Sequence, residues 1–226
     1  MDTIDAFIDR HGPAAVSAAL LPLVSDERVA RIDRVLAARL QSVAAIVEDT
    51  YDPHNAAATI RTCEALGLQD LHVVAASAGF AAVKGITLGA HQWIDVHGWA
   101  RAEDAVAALH ARGVRVYAAM PGASASIDDA DVTAPVAVMF GNEHAGLSDA
   151  AVRACDATVA VPMFGFTESF NLSVTVALAA SRLAARRRAH LGATGDLDDA
   201  RRIRLRARWL AASVRAAELV LARALS

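Results

Sequence analysis

The order of apolar and polar positions along the chain predicts strands and helices in alternation. Apolar runs at residues 43–47 and 135–140 are short and nearly uninterrupted, which indicates buried strands. Amphipathic segments at 55–66 and 102–112 each end at a glycine and indicate helices. Because strands alternate with helices of about 10–15 residues, the pattern favours an α/β fold with a mostly parallel sheet.

Further elements complete this alternation. The glycine-interrupted stretch 79–92 carries Lys84 and lies between the predicted strands at 71–75 and 94–96. The remaining predicted strands lie at 71–75, 94–96, 114–119 and 158–161, and the remaining predicted helices of this domain lie at 148–153 and 171–188.

Both ends of the chain predict helices outside this domain. Residues 3–41 contain two helices, and the second begins near Asp26 with Ser25 or Asp26 as its cap. A break at 192–196 precedes one final helix at 198–225. We therefore divide the chain into an N-terminal helical extension (1–41), a central domain (42–190) and a basic C-terminal helix (191–226). The second helix leaves four arginines largely outward, namely Arg28, Arg31, Arg34 and Arg39.

Composition narrows the class of protein. The net charge is −3, yet nine arginines lie between Arg182 and Arg208, which suits either a bound polyanion or a solvated helix face. The two cysteines imply neither a disulfide framework nor a zinc site, and both are expected to be buried. The N-terminus lacks a signal-peptide pattern and no apolar run reaches about 20 residues, so we expect a cytoplasmic protein without a membrane span.

Three polar loops follow predicted strands, and the carboxyl ends of parallel strands meet at one edge of a sheet. In the first loop, Asn55 can cap the following helix and Arg61 lies six residues further on. Because Arg61 sits in an alanine-rich helix, we expect its guanidinium to be held against the protein, where it suits phosphate or ribose oxygens. A plain surface arginine is the alternative. We interpret His54 as a turn residue.

The second loop, residues 141–149, contains Gly141, Glu143 and Gly146, so backbone and a carboxylate can approach a ligand closely. It lacks the glycine patterns of dinucleotide sites and P-loops. Histidines and acidic residues are too scattered to predict a metal site. The third loop bends at Gly165 and presents four polar side chains within five positions, namely Thr167, Glu168, Ser169 and Asn171.

In this order, the three loops resemble the signature motifs of the SPOUT methyltransferases, and most closely the TrmH family of RNA ribose 2′-O-methyltransferases. The first motif corresponds to Pro53, His54, Asn55 and Arg61, the second to Gly141, Glu143 and Gly146, and the third to Pro162, Met163, Gly165, Ser169, Asn171 and Ser173. The resemblance runs from about residue 43 to residue 188. The terminal helices resemble the basic extensions of the tRNA-modifying members.

The resemblance implies a parallel sheet with a deep trefoil knot near its C-terminal end, and a homodimer with the active site at the subunit interface. It also implies S-adenosylmethionine as the cofactor, bound mainly by backbone groups in the knot. Glycines and small residues there let backbone approach a ligand without side-chain clashes. Carried over to this sequence, the cofactor-binding positions are Ala119, Phe140, Gly141, Val161, Met163, Phe170 and Leu172.

The implied reaction is methyl transfer to a ribose 2′-hydroxyl of RNA, with a guanosine of the tRNA D-loop (position 18) as the favoured substrate. Arg61 is the implied catalytic residue, which positions the ribose and stabilises the developing alkoxide, while Asn55 orients Arg61. Glu143, Ser169 and Asn171 complete the polar surroundings. The arginines expected to bind RNA phosphates are Arg34, Arg182, Arg186, Arg187, Arg188, Arg202 and Arg206.

One departure from the family pattern lies in the third motif, which reads Phe-Thr-Glu-Ser-Phe-Asn where the tRNA members typically have Val-Gln-Ser-Leu-Asn. Glu168 adds negative charge beside the site and Phe170 adds apolar contact, so 23S ribosomal RNA is the alternative substrate. Two alternatives belong to other classes: a catalytically silent, knotted RNA-binding protein and a nicotinamide-dependent enzyme. The retained polar residues argue against the first, and the missing glycine fingerprint argues against the second.

Overall fold

The computed structural model describes residues 3–49, 52–74 and 89–225. The chain forms two compact units, one from Leu40 to Ala193 and one from the segments before Leu40 and after Ala193. The two terminal extensions, which the sequence suggests as separate segments, therefore share one unit. The glycine-interrupted stretch with Lys84 lies mostly outside the described residues.

The larger unit contains a parallel sheet, which confirms the prediction from the alternating pattern. Its strands are β1 (Leu40–Glu48), β2 (Leu68–Val74), β3 (Asp95–Trp99), β4 (Arg115–Ala119), β5 (Val136–Phe140) and β6 (Ala157–Val159). Within the described residues the order is β3-β2-β1-β5-β4-β6, and every neighbouring pair is parallel. The central strands β1 and β5 are buried along nearly their whole length, which explains their continuous apolar sequence.

Helices cover both faces of this sheet. In chain order the helices of the protein are α1 (Ile4–His11), α2 (Pro13–Leu20), α3 (Asp26–Ala37), α4 (Pro53–Ala65), α5 (Ala102–His110), α6 (Asp149–Ala154), α7 (Leu172–Leu191), α8 (Asp199–Ala212) and α9 (Ala217–Ala224). Helices α4 and α7 pack together on one face, whereas α5 and α6 pack on the other. Side chains of β1 alternate accordingly, with Val43 and Ala45 toward α4 and α7 and with Ala44 and Ile46 toward α5.

Strand register brings the motif loops to one edge of the sheet. Val47 near the end of β1 pairs with Phe140 at the end of β5, so the first and second loops leave the sheet side by side. Ala119 at the end of β4 pairs with Val159 at the end of β6, from which the third loop begins. The three loops therefore start at the same carboxyl edge of the sheet, from β1, its neighbour β5 and the edge strand β6, and this is the edge where α/β sheets bind ligands.

The start of α4 corrects one expectation. The cap is Asp52, whose Oδ1 accepts a hydrogen bond from His54 N at 2.8 Å, and Pro53 occupies the first helical position. Proline suits that position because its missing N–H would have no partner in a helix. The predicted cap, Asn55, lies inside the first turn and keeps its side chain for other contacts.

The terminal unit departs from the sequence prediction at three places. The first of the two helices predicted in residues 3–41 is wrong as a single helix, because Gly12 (φ 82°) ends α1 and α2 begins at Pro13. The predicted single final helix is wrong, because Ala216 adopts a left-handed conformation (φ 55°) and separates α8 from α9. The predicted outward position of Arg39 is also wrong, since this side chain is fully buried and its guanidinium lies over the Trp209 ring, 5.1 Å from the centroid. A planar, weakly hydrated guanidinium tolerates such stacking better than an ammonium group does.

Cysteine burial and helix length complete the description. Cys63 is buried as expected, whereas Cys155 is only partly buried. Desolvation, with smaller effects of Asp156 and Glu48, raises the pKa of the Cys155 thiol to about 12, so the thiol stays protonated at neutral pH. Within the described part of the chain, no helix combines the length and apolar character needed to cross a bilayer.

Candidate active site

Asn55 joins the three motif loops. Its side chain is 9% exposed, its Nδ2 donates to Glu143 Oε1 at 2.7 Å, and its Oδ1 accepts from Asn171 Nδ2 at 3.1 Å. The three residues come from the first, second and third motif, respectively. The structure therefore connects by hydrogen bonds the side chains that the sequence places far apart.

Asn171 also caps a helix, and this contact fixes the orientation of its side-chain amide. It is the N-cap of α7, and its Oδ1 accepts from Ser173 N at 2.9 Å and from Ser173 Oγ at 2.7 Å. Because the amide oxygen is used by the helix, the amide nitrogen is left to donate to Asn55. One residue thus both starts the helix and reaches the first motif.

The second loop is folded back on itself at a glycine. A Cβ on Gly141 would lie 2.1 Å from the carbonyl carbon of Gly146, so no larger residue fits. The N–H of Asn142 donates to Gly146 O at 3.0 Å, and the N–H of Gly146 donates back to Asn142 O at 2.9 Å. The Asn142 side chain accepts from His144 N at 2.8 Å and donates to Asp49 O at 2.6 Å. This tight loop carries Glu143.

Arg61 does not take the position expected from its alanine-rich helix. It is exposed, and it makes no hydrogen bond or ion pair within the part of the chain that the structure describes. The expectation that its guanidinium is held against the protein is therefore wrong, and Asn55 does not contact it. An exposed guanidinium at this position is accessible to an anionic ligand.

The third loop is exposed from Phe164 to Phe170. Phe164 and Phe166 are 98% and 108% exposed, and Phe170 is 40% exposed. Ser169 is also exposed and makes no hydrogen bond to any described residue, so it does not join the cluster around Asn55. Two fully exposed phenylalanines in succession are unusual for a monomer surface.

The predicted cofactor positions lie at the carboxyl edge of the sheet and at the start of α7. Phe140 and Leu172 are buried in the same core cluster, Phe170 is largely exposed, and the rest are half-buried. Residues 161–170 make no hydrogen bond to any described residue, through backbone or side chain. Val161, Pro162 and Met163 are half-buried.

The arginines of α7 donate hydrogen bonds to other groups of the larger unit. Arg187 is 7% exposed and donates to Ser42 Oγ at 2.9 Å, Val132 O at 2.8 Å and Thr133 O at 2.9 Å. This burial leaves no surface for a phosphate, which corrects the prediction for Arg187. The other three arginines are partly exposed. Arg182 donates to Asp128, Arg186 donates to Ile127 O and Ala130 O, and Arg188 donates to Leu66 O.

The predicted RNA-binding arginines of the terminal unit divide into two kinds. Arg206 donates to both carboxylate oxygens of Asp33, at 2.6 and 3.1 Å, and Arg202 donates to Asp199 at 2.5 Å. Arg34 is exposed and has no hydrogen-bond or ion-pair partner among the described residues. Arg34 is therefore the more accessible cation of this set.

One acidic residue near the site was not singled out by the sequence. Glu48 ends β1, is 7% exposed, and accepts two hydrogen bonds from Ser148, which closes the second loop. The available signal was a carboxylate directly after an apolar run, at the edge where the motif loops emerge. Such a residue has no place in a buried strand unless it has hydrogen-bond partners.

Comparison with known proteins identifies the larger unit. Residues 42–181 match the pattern of the SpoU rRNA Methylase family. The chain is 36% identical over 160 residues to the tRNA (guanosine(18)-2′-O)-methyltransferase of Borreliella burgdorferi, which covers 70% of this chain and 73% of that protein.

Solved structures agree with the sequence match. The TrmH/SpoU tRNA modifying enzyme of A. aeolicus superposes with a TM-score of 0.75 and 25% identity, over 84% of this chain and 98% of that one. The SpoU methyltransferase AviRb from Streptomyces viridochromogenes, solved in complex with the cofactor AdoMet, has the same fold, with a TM-score of 0.58 and 24% identity over 66% of this chain and 59% of that one. With a family match across its motif-bearing unit, the chain belongs to the SpoU rRNA methylase family.

Proposed function

We propose that this chain transfers a methyl group from S-adenosylmethionine to a ribose 2′-hydroxyl of RNA, with guanosine 18 of tRNA as the substrate. The observation that carries the proposal is the hydrogen-bonded set Glu143–Asn55–Asn171, which joins one side chain from each motif loop. The Borreliella burgdorferi relative supports the choice of substrate, because its name specifies guanosine 18 of tRNA.

The residues present fit S-adenosylmethionine. Backbone groups of residues 161–170 are not used within the described chain, and the fold of the second loop at Gly141 brings further backbone to the same edge. Backbone N–H and C=O groups are the donors and acceptors that a purine and an amino-acid group require. When bound, S-adenosylmethionine supplies a methyl group on a positively charged sulfur.

The chain's own residues must place and activate the ribose. A bond forms between the 2′-oxygen and the methyl carbon as the carbon–sulfur bond breaks, and the hydroxyl proton is lost. Arg61 is the exposed cation that stabilises the negative charge developing on that oxygen. Arg61 cannot accept the proton, since a guanidinium has donors and no acceptor, so we assign the proton to an RNA phosphate oxygen. Asn55, Glu143 and Asn171 hold the loops that surround this position.

The site proposal extends to assembly, topology and location. We propose that two copies form a homodimer and that Ser169 and Arg61 complete the site together with the other subunit. The fully exposed Phe164 and Phe166 support this, because two exposed aromatic side chains close together are unusual on the surface of a monomer. We further propose the deep trefoil knot near the C-terminal end of the sheet, and action on RNA in the cytoplasm.

The test is methyl transfer to defined RNA. Purified protein is incubated with radiolabelled S-adenosylmethionine and, separately, with tRNA transcripts and ribosomal RNA, and the methylated nucleotide is mapped. The proposal predicts 2′-O-methylguanosine at position 18 of tRNA. Label in 23S ribosomal RNA alone would overturn the substrate and keep the mechanism. No label in either RNA, together with no binding of S-adenosylmethionine, would favour the catalytically silent RNA-binding protein.

A further inference from the structure

Glu48, the last residue of β1, is hydrogen-bonded to Ser148 at the end of the second motif loop. Both carboxylate oxygens of Glu48 are used by Ser148: Oε1 accepts from Ser148 Oγ and Oε2 accepts from Ser148 N, each at 2.8 Å. The same Ser148 Oγ accepts from Ala151 N at 3.1 Å as the N-cap of α6. The helix therefore has its cap without Glu48, and the carboxylate serves to hold the loop.

The next residue holds the same loop at its beginning. Asp49 O accepts from Asn142 Nδ2 at 2.6 Å, and Asp49 N donates to Val74 O at 2.8 Å. Asp49 has a left-handed backbone conformation with φ 46°. Glu48 at the end of β1 and Asp49 directly after it thus bind Ser148 and Asn142, and Glu143 lies between these two points.

The burial of the Glu48 carboxylate and the backbone conformation of Asp49 are both energetically unfavourable. Glu48 is 7% exposed, and it forms no ion pair with any residue that the structure describes. A buried carboxylate without a cation loses hydration that two hydrogen bonds replace only in part. A left-handed backbone is less favourable than a right-handed one at a residue with a side chain. Unfavourable features of this kind concentrate where a protein fixes functional geometry.

We propose that the turn formed by Glu48 and Asp49 is a positioning device that sets the second motif loop, and thereby Glu143, against Asn55. Glu48 is hydrogen-bonded to Ser148 at the end of the loop, so it acts on Glu143 through the loop. This inference rests on the proposed function for its catalytic consequence. Its structural consequence, a fixed loop at residues 141–148, can be measured without any RNA.

The main test is Glu48→Gln, with Glu218→Gln on α9 as the matched control. Glutamine keeps the shape but turns one acceptor into an NH2 donor that faces a Ser148 donor. We expect hydrogen exchange of backbone amides 141–148 to become at least about tenfold faster, and kcat for tRNA methylation to fall about tenfold, as a small misplacement of a catalytic group does. The KM for tRNA and the melting temperature should remain close to those of Glu218→Gln.

The outcomes separate the inference from the proposed function. Unchanged loop exchange in a folded Glu48→Gln protein would overturn the inference, whatever the enzyme activity. A wild-type protein that labels no RNA would instead contradict the proposed function. If Glu48→Gln does not fold, Ser148→Thr and Ser148→Ala provide the second comparison: both keep the N–H contact, threonine also keeps a hydroxyl for Glu48 and for the cap of α6, and alanine removes it. Loop exchange should be about threefold faster in Ser148→Ala than in Ser148→Thr, and no difference would again overturn the inference.

Discussion

Helices α4 and α7 lie in the same unit and use arginine in opposite ways. Arg187 of α7 is 7% exposed and its guanidinium donates three hydrogen bonds, to Ser42, Val132 and Thr133. Arg61 of α4 is exposed and has no hydrogen-bond or ion-pair partner among the described residues. The arginine-rich run of α7 is therefore mainly a structural feature, whereas the single arginine of α4 is available for chemistry.

The difference shows why arginine density in a sequence is a poor guide to a binding surface. The run at the end of α7 satisfies backbone carbonyls of the segment between β4 and β5, such as those of Ile127, Ala130 and Val132. Irregular backbone that is half-buried needs such donors, and a guanidinium supplies five of them. An arginine that is accessible to a ligand is instead recognised in the structure, where its guanidinium has no hydrogen-bond or ion-pair partner within the protein.

Replacing Arg61 by alanine should have the largest effect on activity. Loss of a cation that stabilises transition-state charge should lower kcat about 10²–10³-fold. Since the Arg61 side chain is exposed and makes no hydrogen bond or ion pair within the described chain, the free energy of unfolding should change by less than about 0.5 kcal/mol. Steady-state methylation and urea unfolding measure the two quantities. Arg61→Lys with near-full turnover would contradict the role given to the guanidinium.

Replacing Arg187 by alanine should have the opposite effect: stability should fall and activity should change little. Three buried acceptors would lose a charged donor, so we expect a loss of about 3 kcal/mol in the free energy of unfolding. Activity per folded molecule should stay within about twofold, because no motif residue is touched. Urea unfolding at 25 °C followed by an assay in the folded range tests both. A stable variant with impaired tRNA binding would return Arg187 to the RNA-binding set.

Asn171 allows the site and the helix cap to be separated. Serine caps helices as well as asparagine does, so Asn171→Ser should keep the melting temperature within a few degrees. It lacks the amide donor to Asn55, and we expect kcat to fall about tenfold, the equivalent of 1.4 kcal/mol. Asn171→Ala should lose both stability and activity. Full activity of Asn171→Ser would mean that the bond to Asn55 does not position the site.

The smallest expected effects concern the terminal unit, where Arg34 and Arg206 repeat the same contrast. Arg34 is exposed and unengaged, whereas Arg206 forms a two-pronged pair with Asp33. Arg34→Gln should weaken tRNA binding a few-fold and reduce the slope of log affinity against log salt by about 1, as the loss of one phosphate contact does. Arg206→Gln should change that slope less. Equal slopes for both variants and the wild type would place tRNA binding elsewhere.

The sequence predicted the sheet and the three loops because both depend on local patterns. Apolar runs identify β1 and β5, and the ordered motifs identify the residues that meet around Asn55. The cap at Asp52, the burial of Arg39 and the break at Ala216 were mispredicted, since each depends on neighbours distant in sequence or on a local backbone choice. Glu48 was missed for the same reason, because its partner Ser148 lies 100 residues away.

The most direct test of the account is methylation of one tRNA made in two forms, with guanosine or with 2′-deoxyguanosine at position 18. The two differ only in the hydroxyl that Arg61 is proposed to serve. The account predicts close to one methyl group per molecule on the first form and none on the second. Equal labelling of both forms would contradict transfer to the ribose, and with it the role assigned to the site around Asn55.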